Sequence, residues 1–185
     1  MTEQGFSVSQ NEIVNDFLTK NLILKENEYR LINDFIDPNK LIKLKLLYST
    51  AVADYNSQTF HYLCNGKGPT LIVVKSKNGK RFGGYTSISW KSLNRYITDE
   101  KAFLFSLDLR KCFKKQKNPQ SIYDHSSYGP TFGNGHDLHI ADQCKVTNGN
   151  SCNCPNTYSE ATTQELAGEN TFVVENYEVY SVILV

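Results

Sequence analysis

Thr70-Leu71-Ile72-Val73-Val74-Lys75-Ser76-Lys77-Asn78-Gly79-Lys80-Arg81-Phe82-Gly83-Gly84-Tyr85 is the stretch on which the fold turns. Its first half is a β-branched apolar run, too short for a typical helix, and reads as a strand. Asn78-Gly79 supplies the positive φ angles of a tight primed turn, whose twist matches that of the strands it joins. Arg81 to Tyr85 then runs back as the second strand of a hairpin. Gly83 and Gly84 leave that returning strand without side chains over two positions. Glycine inside a strand marks a close approach, either of a ligand or of another part of the protein. Gly129-Pro130-Thr131-Phe132-Gly133-Asn134-Gly135-His136-Asp137 poses the same choice.

Downstream of the hairpin, Ala102-Phe103-Leu104-Phe105-Ser106-Leu107 is apolar at nearly every position, which predicts a central strand covered on both faces. Leu138 and Ile140 alternate with His139 and Ala141 in another strand. Phe172-Val173-Val174 and Val179 to Val185 predict two more, with Glu175 and Glu178 in a polar turn between them. Upstream, short apolar runs begin at Leu41 with Leu46-Leu47-Tyr48. Ser57 is placed to cap a short helix carrying Phe60, His61 and Cys64, which Gly66-Lys67-Gly68-Pro69 ends. Two further helices precede these. Ser9-Gln10-Asn11-Glu12 has capping-box spacing ahead of Ile13, Val14, Phe17 and Leu18, with Leu22 a turn further on. Lys25 to Ile36 puts Tyr29, Ile32 and Ile36 on one face, with Leu31 and Phe35 beside them, before Pro38.

The expected fold is therefore α+β, mainly β: two packed antiparallel sheets forming a β-sandwich with flanking helices. Residues 1–40 read as a helical N-terminal extension that packs on the domain or on a partner, and residues 41–185 as the domain itself. A length of 185 residues suits one such unit. Lys and Arg total 20 against 19 Asp and Glu, so no whole-chain field favours nucleic acid or an anionic membrane. No apolar run approaches the length of a membrane span, so membrane insertion is not expected. Met1-Thr2-Glu3-Gln4-Gly5 lacks the basic and apolar parts of a secretory signal, and five scattered cysteines do not form a secreted disulfide framework. These features predict a cytoplasmic protein with reduced thiols.

The residues offer several chemistries, each with a plainer alternative. Neither glycine segment has the Lys-Ser/Thr pair of a phosphate loop or the dinucleotide spacing in its strand-to-helix context. His136, His139, Cys144, Cys152 and Cys154 fall in one stretch. Cys152-x-Cys154 is nevertheless tight for a zinc knuckle, and His136 and His139 on an alternating strand point to opposite faces. His61 and Cys64 share a helix face but lack a third group to orient them. Cys112 lies among Arg110, Lys111, Lys114 and Lys115, cations that favour a thiolate if it is exposed, which makes it the best candidate for an oxidation-sensitive thiol, with an inert loop cysteine as the plainer and favoured reading. The basic run from Arg110 to Lys117 reads as a solvated loop. No catalytic set, cofactor or metal is expected, and the protein reads as a non-enzyme.

In order along the chain, Leu46-Leu47-Tyr48, Phe60-His61 to Cys64, Lys67-Gly68-Pro69-Thr70-Leu71, Phe82-Gly83-Gly84-Tyr85 to Trp90, Ala102 to Leu107, Gly129-Pro130-Thr131-Phe132-Gly133, His136-Asp137-Leu138 and Glu178-Val179-Tyr180 resemble TLDc domains of the oxidation resistance and nuclear receptor coactivator type. The resemblance runs over roughly Leu41 to Val185. It implies a β-sandwich, no established catalytic machinery, a link to oxidative-stress resistance, and binding and regulation of the vacuolar-type proton ATPase. It also implies that Gly83, Gly84, Trp90, Gly129, Pro130, Gly133 and Gly135 define the fold. Asp137 and Glu178 match acidic positions of the family motif, and with Glu175 they are the expected protein contacts. Val52-Ala53-Asp54 stands where members commonly carry Arg-Asp-Gly, so the partner need not be the usual one. Alternative roles are an adaptor subunit of another large assembly, organelle-bound or cytoskeletal, and a thiol-based antioxidant activity.

Overall fold

A computed structural model describes residues 22–116 and 119–185. The helix expected from Ser9 onward lies outside the described residues. Two antiparallel sheets face each other. The larger has the order β1 (Ile42–Ser49), β10 (Val174–Leu184), β2 (Thr70–Ser76), β3 (Arg81–Thr86), β5 (Phe103–Ser106) and β6 (Lys111–Lys114). The smaller has the order β4 (Arg95–Thr98), β7 (Gln120–Asp124), β8 (Thr131–Phe132) and β9 (Leu138–His139).

The β2–β3 hairpin is present as the sequence predicts, with Gly79 at φ +90° and its N–H donating to the Ser76 carbonyl at 2.9 Å. Its register sets Gly84 opposite Ile72 and Gly83 opposite Val73. Gly84 lies directly under Phe132 of the smaller sheet, and a Cβ there would come within 2.6 Å of that ring. A Cβ on Gly83 would overlap the Ile72 carbonyl and approach the Phe105 ring at 2.8 Å. The glycine pair therefore serves packing. Phe132 continues into an aromatic column with Trp90 at 6.0 Å and Phe60 at 5.6 Å from Trp90, and the Trp90 indole N–H donates to Thr70 Oγ1 at 3.0 Å.

β2 is apolar on both faces because both are covered. Ile72 and Val74 point into the core between the sheets, with Phe82, Leu104, Tyr177 and Val179. Leu71 and Val73 point the other way, with Tyr85, Phe103, Phe105, Tyr180 and Val182, and are closed over by Ile23, Leu24 and Ile32. The cover is a strap formed by residues 22–36, ending in a 3₁₀ turn (Glu26–Glu28) and helix α1 (Tyr29–Ile36). Polar ties hold it. The Glu28 carboxylate pairs with Arg81 Nη1 at 2.9 Å, and the Ile23 N–H donates to Glu178 Oε1 at 2.9 Å.

Four details differ from the sequence reading. The final two expected strands are one, β10, which passes through Glu175 to Glu178 with a bulge between Val174 and Asn176. Tyr177 and Val179 bury inward while Glu178 and Tyr180 face the strap, so the alternation carries the strand across the polar residues. Lys111 to Lys114, expected in a loop, form edge strand β6 because Phe113 fills the core. The strand expected to be central is β5, buried on both faces but second from that edge. Helix α2 (Ser57–Cys64) is capped by Asn56 rather than Ser57, the Asn56 side chain accepting from the Thr59 N–H at 2.7 Å.

Two outcomes test this packing. Gly84→Ala forces the fully buried Phe132 to move and should lower unfolding free energy by about 1–3 kcal/mol. Pairing it with Phe132→Leu should recover part of that loss in denaturant titrations. Removal of residues 1–40 uncovers the outer face of the larger sheet. It should abolish cooperative thermal unfolding and raise hydrophobic-dye binding, since each large side chain fully buried there contributes roughly 1.5–3 kcal/mol.

Candidate interaction surface

The smaller sheet is two-faced. Ile97, Ile122, Phe132 and Leu138 enter the core, so the period of two puts Tyr96, Tyr123, Thr131 and His139 on the opposite face. Cross-strand register sets Tyr96 against Tyr123 and Thr131 against His139. The rings make one continuous cluster. Tyr96 lies 4.5 Å from Tyr123, and Tyr123 stacks between His125 and His136, each at 5.4 Å. His136 stacks on His139 at 5.1 Å, while Tyr128 meets His139 edge-on at 4.7 Å. His61 joins from α2, its Nε2–H directed at the carbonyls of His125 (2.9 Å) and Tyr128 (3.0 Å). All four histidines of the chain meet here.

This corrects the expectation that His136 and His139 point apart. His136 precedes β9 in a turn, at φ +58°, with its N–H donating to the Gly133 carbonyl, and this conformation folds its ring back over the sheet. The turn is fastened by the buried Asp137 carboxylate, which accepts the N–H groups of Asn156 (2.6 Å) and Thr157 (2.9 Å). Gly133 has to be glycine, since it sits at φ +84° and a Cβ there would overlap the Asp137 carboxylate. Asp124 fixes the neighbouring loop by accepting the N–H groups of Lys91, Ser92 and Leu93, all at 3.0 Å.

The TLDc domain family profile matches residues 17–183. The chain belongs to the TLDc domain family. The matched region takes in the strap as well as the two sheets. Over 108 residues the TLDc domain is 29% identical to the MTOR-associated protein MEAK7 of Mus musculus, a match covering 56% of this chain and 23% of that protein. It is 37% identical over 71 residues to the protein of the same name from Xenopus laevis, covering 37% and 15%. The aligned part thus spans less than a quarter of either relative.

The three acidic residues expected at a contact surface lie apart in the TLDc domain. Asp137 is fully buried behind His136, and Glu178 is 1% exposed beneath the strap, accepting from Ile23 N–H and from the Tyr180 hydroxyl at 2.7 Å. Burial pushes both carboxyls up, against the backbone and hydroxyl donors that oppose it. Glu175 alone reaches solvent, in an ion pair with Lys75 at 2.7 Å. The remaining motif residues build the frame around the cluster. A Cβ on Gly129 would come 2.8 Å from the Ile140 carbonyl, the Pro130 carbonyl accepts the Ile140 N–H, and Gly135 faces Asn156 at φ +104°.

Cys64, Cys144 and Cys152 are buried, and Cys112 and Cys154 are half-buried. Burial pushes Cys64 and Cys144 up to about 12 and Cys112 up to about 11. At Cys112 the Lys114 charge acts in the opposite direction and is outweighed, which favours the inert cysteine over the cation-activated thiolate. Cys152 and Cys154 bring their sulfurs to 4.0 Å. Among the described residues no group of three or more His, Cys, Asp or Glu is placed to hold a metal ion, and no helix is long and apolar enough to cross a membrane.

His139 gives the cluster a pH signature. The Thr131 hydroxyl donates to the Gly129 carbonyl at 3.1 Å, so its oxygen accepts from His139 Nδ1–H at 2.8 Å. Burial, reinforced by His136, pushes the imidazole down to about 4, against an ordinary 6.5. Between these values the unfolded chain binds more protons than the folded one. Stability is therefore full above pH 6.5 and falls as the pH drops towards 4, by ~3 kcal/mol in total. Denaturant titrations across that window should show the loss, and His139→Phe should flatten it.

Proposed function

We propose that this TLDc domain is a non-catalytic protein-interaction module that acts in the cytoplasm and regulates the assembly or activity of a vacuolar-type proton ATPase. Family membership over residues 17–183 carries this reading. The disposition of the polar groups supports it. Asp99, Asp124 and Asp137 direct their carboxylates at backbone N–H groups and thereby hold loops, while a cluster of tyrosine and histidine rings is presented at the surface. Tyrosine-rich surfaces of this kind are enriched at protein interfaces, where a large rigid ring carries a polar tip.

A second reading draws on the relatives, whose names describe them as MTOR-associated. In it the domain is an adaptor within an mTOR-associated assembly. An oxidation-resistance role through thiol chemistry has support only at Cys152, which the Cys154 thiol beside it shifts down, while burial suppresses the thiolate at Cys64, Cys112 and Cys144.

Affinity capture with the tagged protein, from extracts that keep the ATPase holoenzyme intact, separates these readings. Peripheral-sector ATPase subunits in the eluate are the expected outcome. Recovery of mTOR without them would transfer the proposal to the second reading, and recovery of neither would overturn both.

A further inference from the structure

We propose that Cys152 and Cys154 form a redox switch: a hydroperoxide closes the pair to a disulfide, and closure shifts the His136–Asp137 turn to which the pair is bonded. The switch does not depend on which partner the domain binds.

Backbone bonds on either side of Asn153 set the two sulfurs against each other. The Cys152 N–H donates to the Asn170 carbonyl at 2.8 Å, and the Cys152 carbonyl accepts from the Thr163 hydroxyl at 2.9 Å. The Asn153 N–H donates to the Asp137 carbonyl at 3.2 Å. Held in this way, the sulfurs lie 4.0 Å apart, and among the described residues no other two cysteines make such a contact. No third His, Cys, Asp or Glu is placed with them to complete a metal site among the described residues. A disulfide joins sulfurs at about 2 Å, so closure asks for a movement of about the same size. The segment that has to move is at the surface. Asn153, Pro155 and Asn156 are exposed and Cys154 is half-buried, while Cys152 is fully buried.

The two thiols have different parts in the reaction. Reduced and neutral, they form a chain in which Cys152 S–H donates to Cys154 Sγ and Cys154 S–H donates to the Asp137 carbonyl at 3.4 Å. When one proton leaves, the charge settles on Cys152. The Cys154 thiol beside it does most to favour this, against burial, and the amides of Ala167 and Cys154 with the Thr163 hydroxyl add to it. Cys154, the sulfur within reach of solvent, then passes its proton to Cys152 as it bonds to the terminal oxygen of the hydroperoxide. The O–O bond breaks, and the departing alkoxide takes a proton from water. Cys154 is now a sulfenic acid. Cys152 gives up its proton to the leaving hydroxide and attacks the Cys154 sulfur, so that an S–S bond replaces the S–O bond. Two thiols have lost two electrons and two protons, and the hydroperoxide has become an alcohol and water.

Closure reaches beyond the pair. It consumes the S–H that donates to the Asp137 carbonyl, and it displaces the loop whose Asn156 and Thr157 amides donate to the Asp137 carboxylate at 2.6 and 2.9 Å. His136, the residue before, stacks on Tyr123 at 5.4 Å and on His139 at 5.1 Å. The oxidation state of the pair is thereby passed to the ring cluster.

The test is mass spectrometry of the full chain after treatment with hydrogen peroxide and alkylation under denaturing conditions. The expected result is the loss of two alkylatable thiols, mapped to a Cys152–Cys154 disulfide and restored by dithiothreitol. Cys154→Ser should keep its remaining thiols under the same treatment, and Cys152→Ser should leave Cys154 as a sulfenic acid that dimedone traps. The amide resonances of His136, Asp137 and Asn156 should shift on oxidation of the wild type and stay in place in peroxide-treated Cys154→Ser. Retention of all five thiols, a disulfide that joins other cysteines, or oxidation of wild-type Cys154 to a sulfinic acid would overturn the proposal. A Cys152–Cys154 disulfide that left the His136 and Asp137 resonances in place would overturn the switch. Mapping the wild-type chain decides the matter even where a variant fails to fold.

Discussion

One strand imposes the architecture. β2 alternates Leu71 and Val73 with Ile72 and Val74, all fully buried, so the sheet that contains it needs a hydrophobic cover on each side. The smaller sheet supplies one cover and the strap of residues 22–36 supplies the other. Everything else adapts to that three-layer arrangement. The two sheets close to contact because Gly84 removes a Cβ where Phe132 must lie. The strap stays in place through apolar burial and polar ties, one of which joins residues 155 apart in sequence.

The sequence disclosed much of this, and the reason is local. Asn78-Gly79 between β-branched runs specifies a hairpin whatever surrounds it, and the all-apolar Phe103 to Phe105 announces burial on both faces. Where the reading went astray, tertiary context outweighed local character. Glu175 to Glu178 look like a turn, yet Tyr177 and Val179 supply the inward alternation that keeps β10 extended. Lys111 to Lys114 look solvated, yet Phe113 anchors them as an edge. The basic side chains then stand where edge strands commonly carry lysine, a charge pattern that discourages pairing with another chain.

The candidate site was less legible, because no single motif contains it. Its rings come from β4, β7, β9, α2 and two loops, and their convergence depends on turn conformations such as φ +58° at His136. A spacing of three residues separates His136 from His139, and on a regular strand that spacing puts them on opposite faces. The acidic motif residues misled in the opposite direction. Asp137 and Glu178 serve the frame as buried acceptors for backbone amides, a structural demand that a sequence pattern cannot tell apart from a contact.

The position of β10 has a consequence for how the chain is made. It lies between β1 and β2 in the larger sheet, although some ninety-eight residues of chain separate Ser76 from Val174. Until that strand has left the ribosome, β1 has no neighbour and the strap lacks its Glu178 anchor. Completion of the larger sheet is therefore a late, long-range event, although β2, β3, β5 and β6 pair in the order in which they are made. In the interval Leu71 and Val73 lack the Tyr180 and Val182 side chains beside which they are buried in the finished molecule.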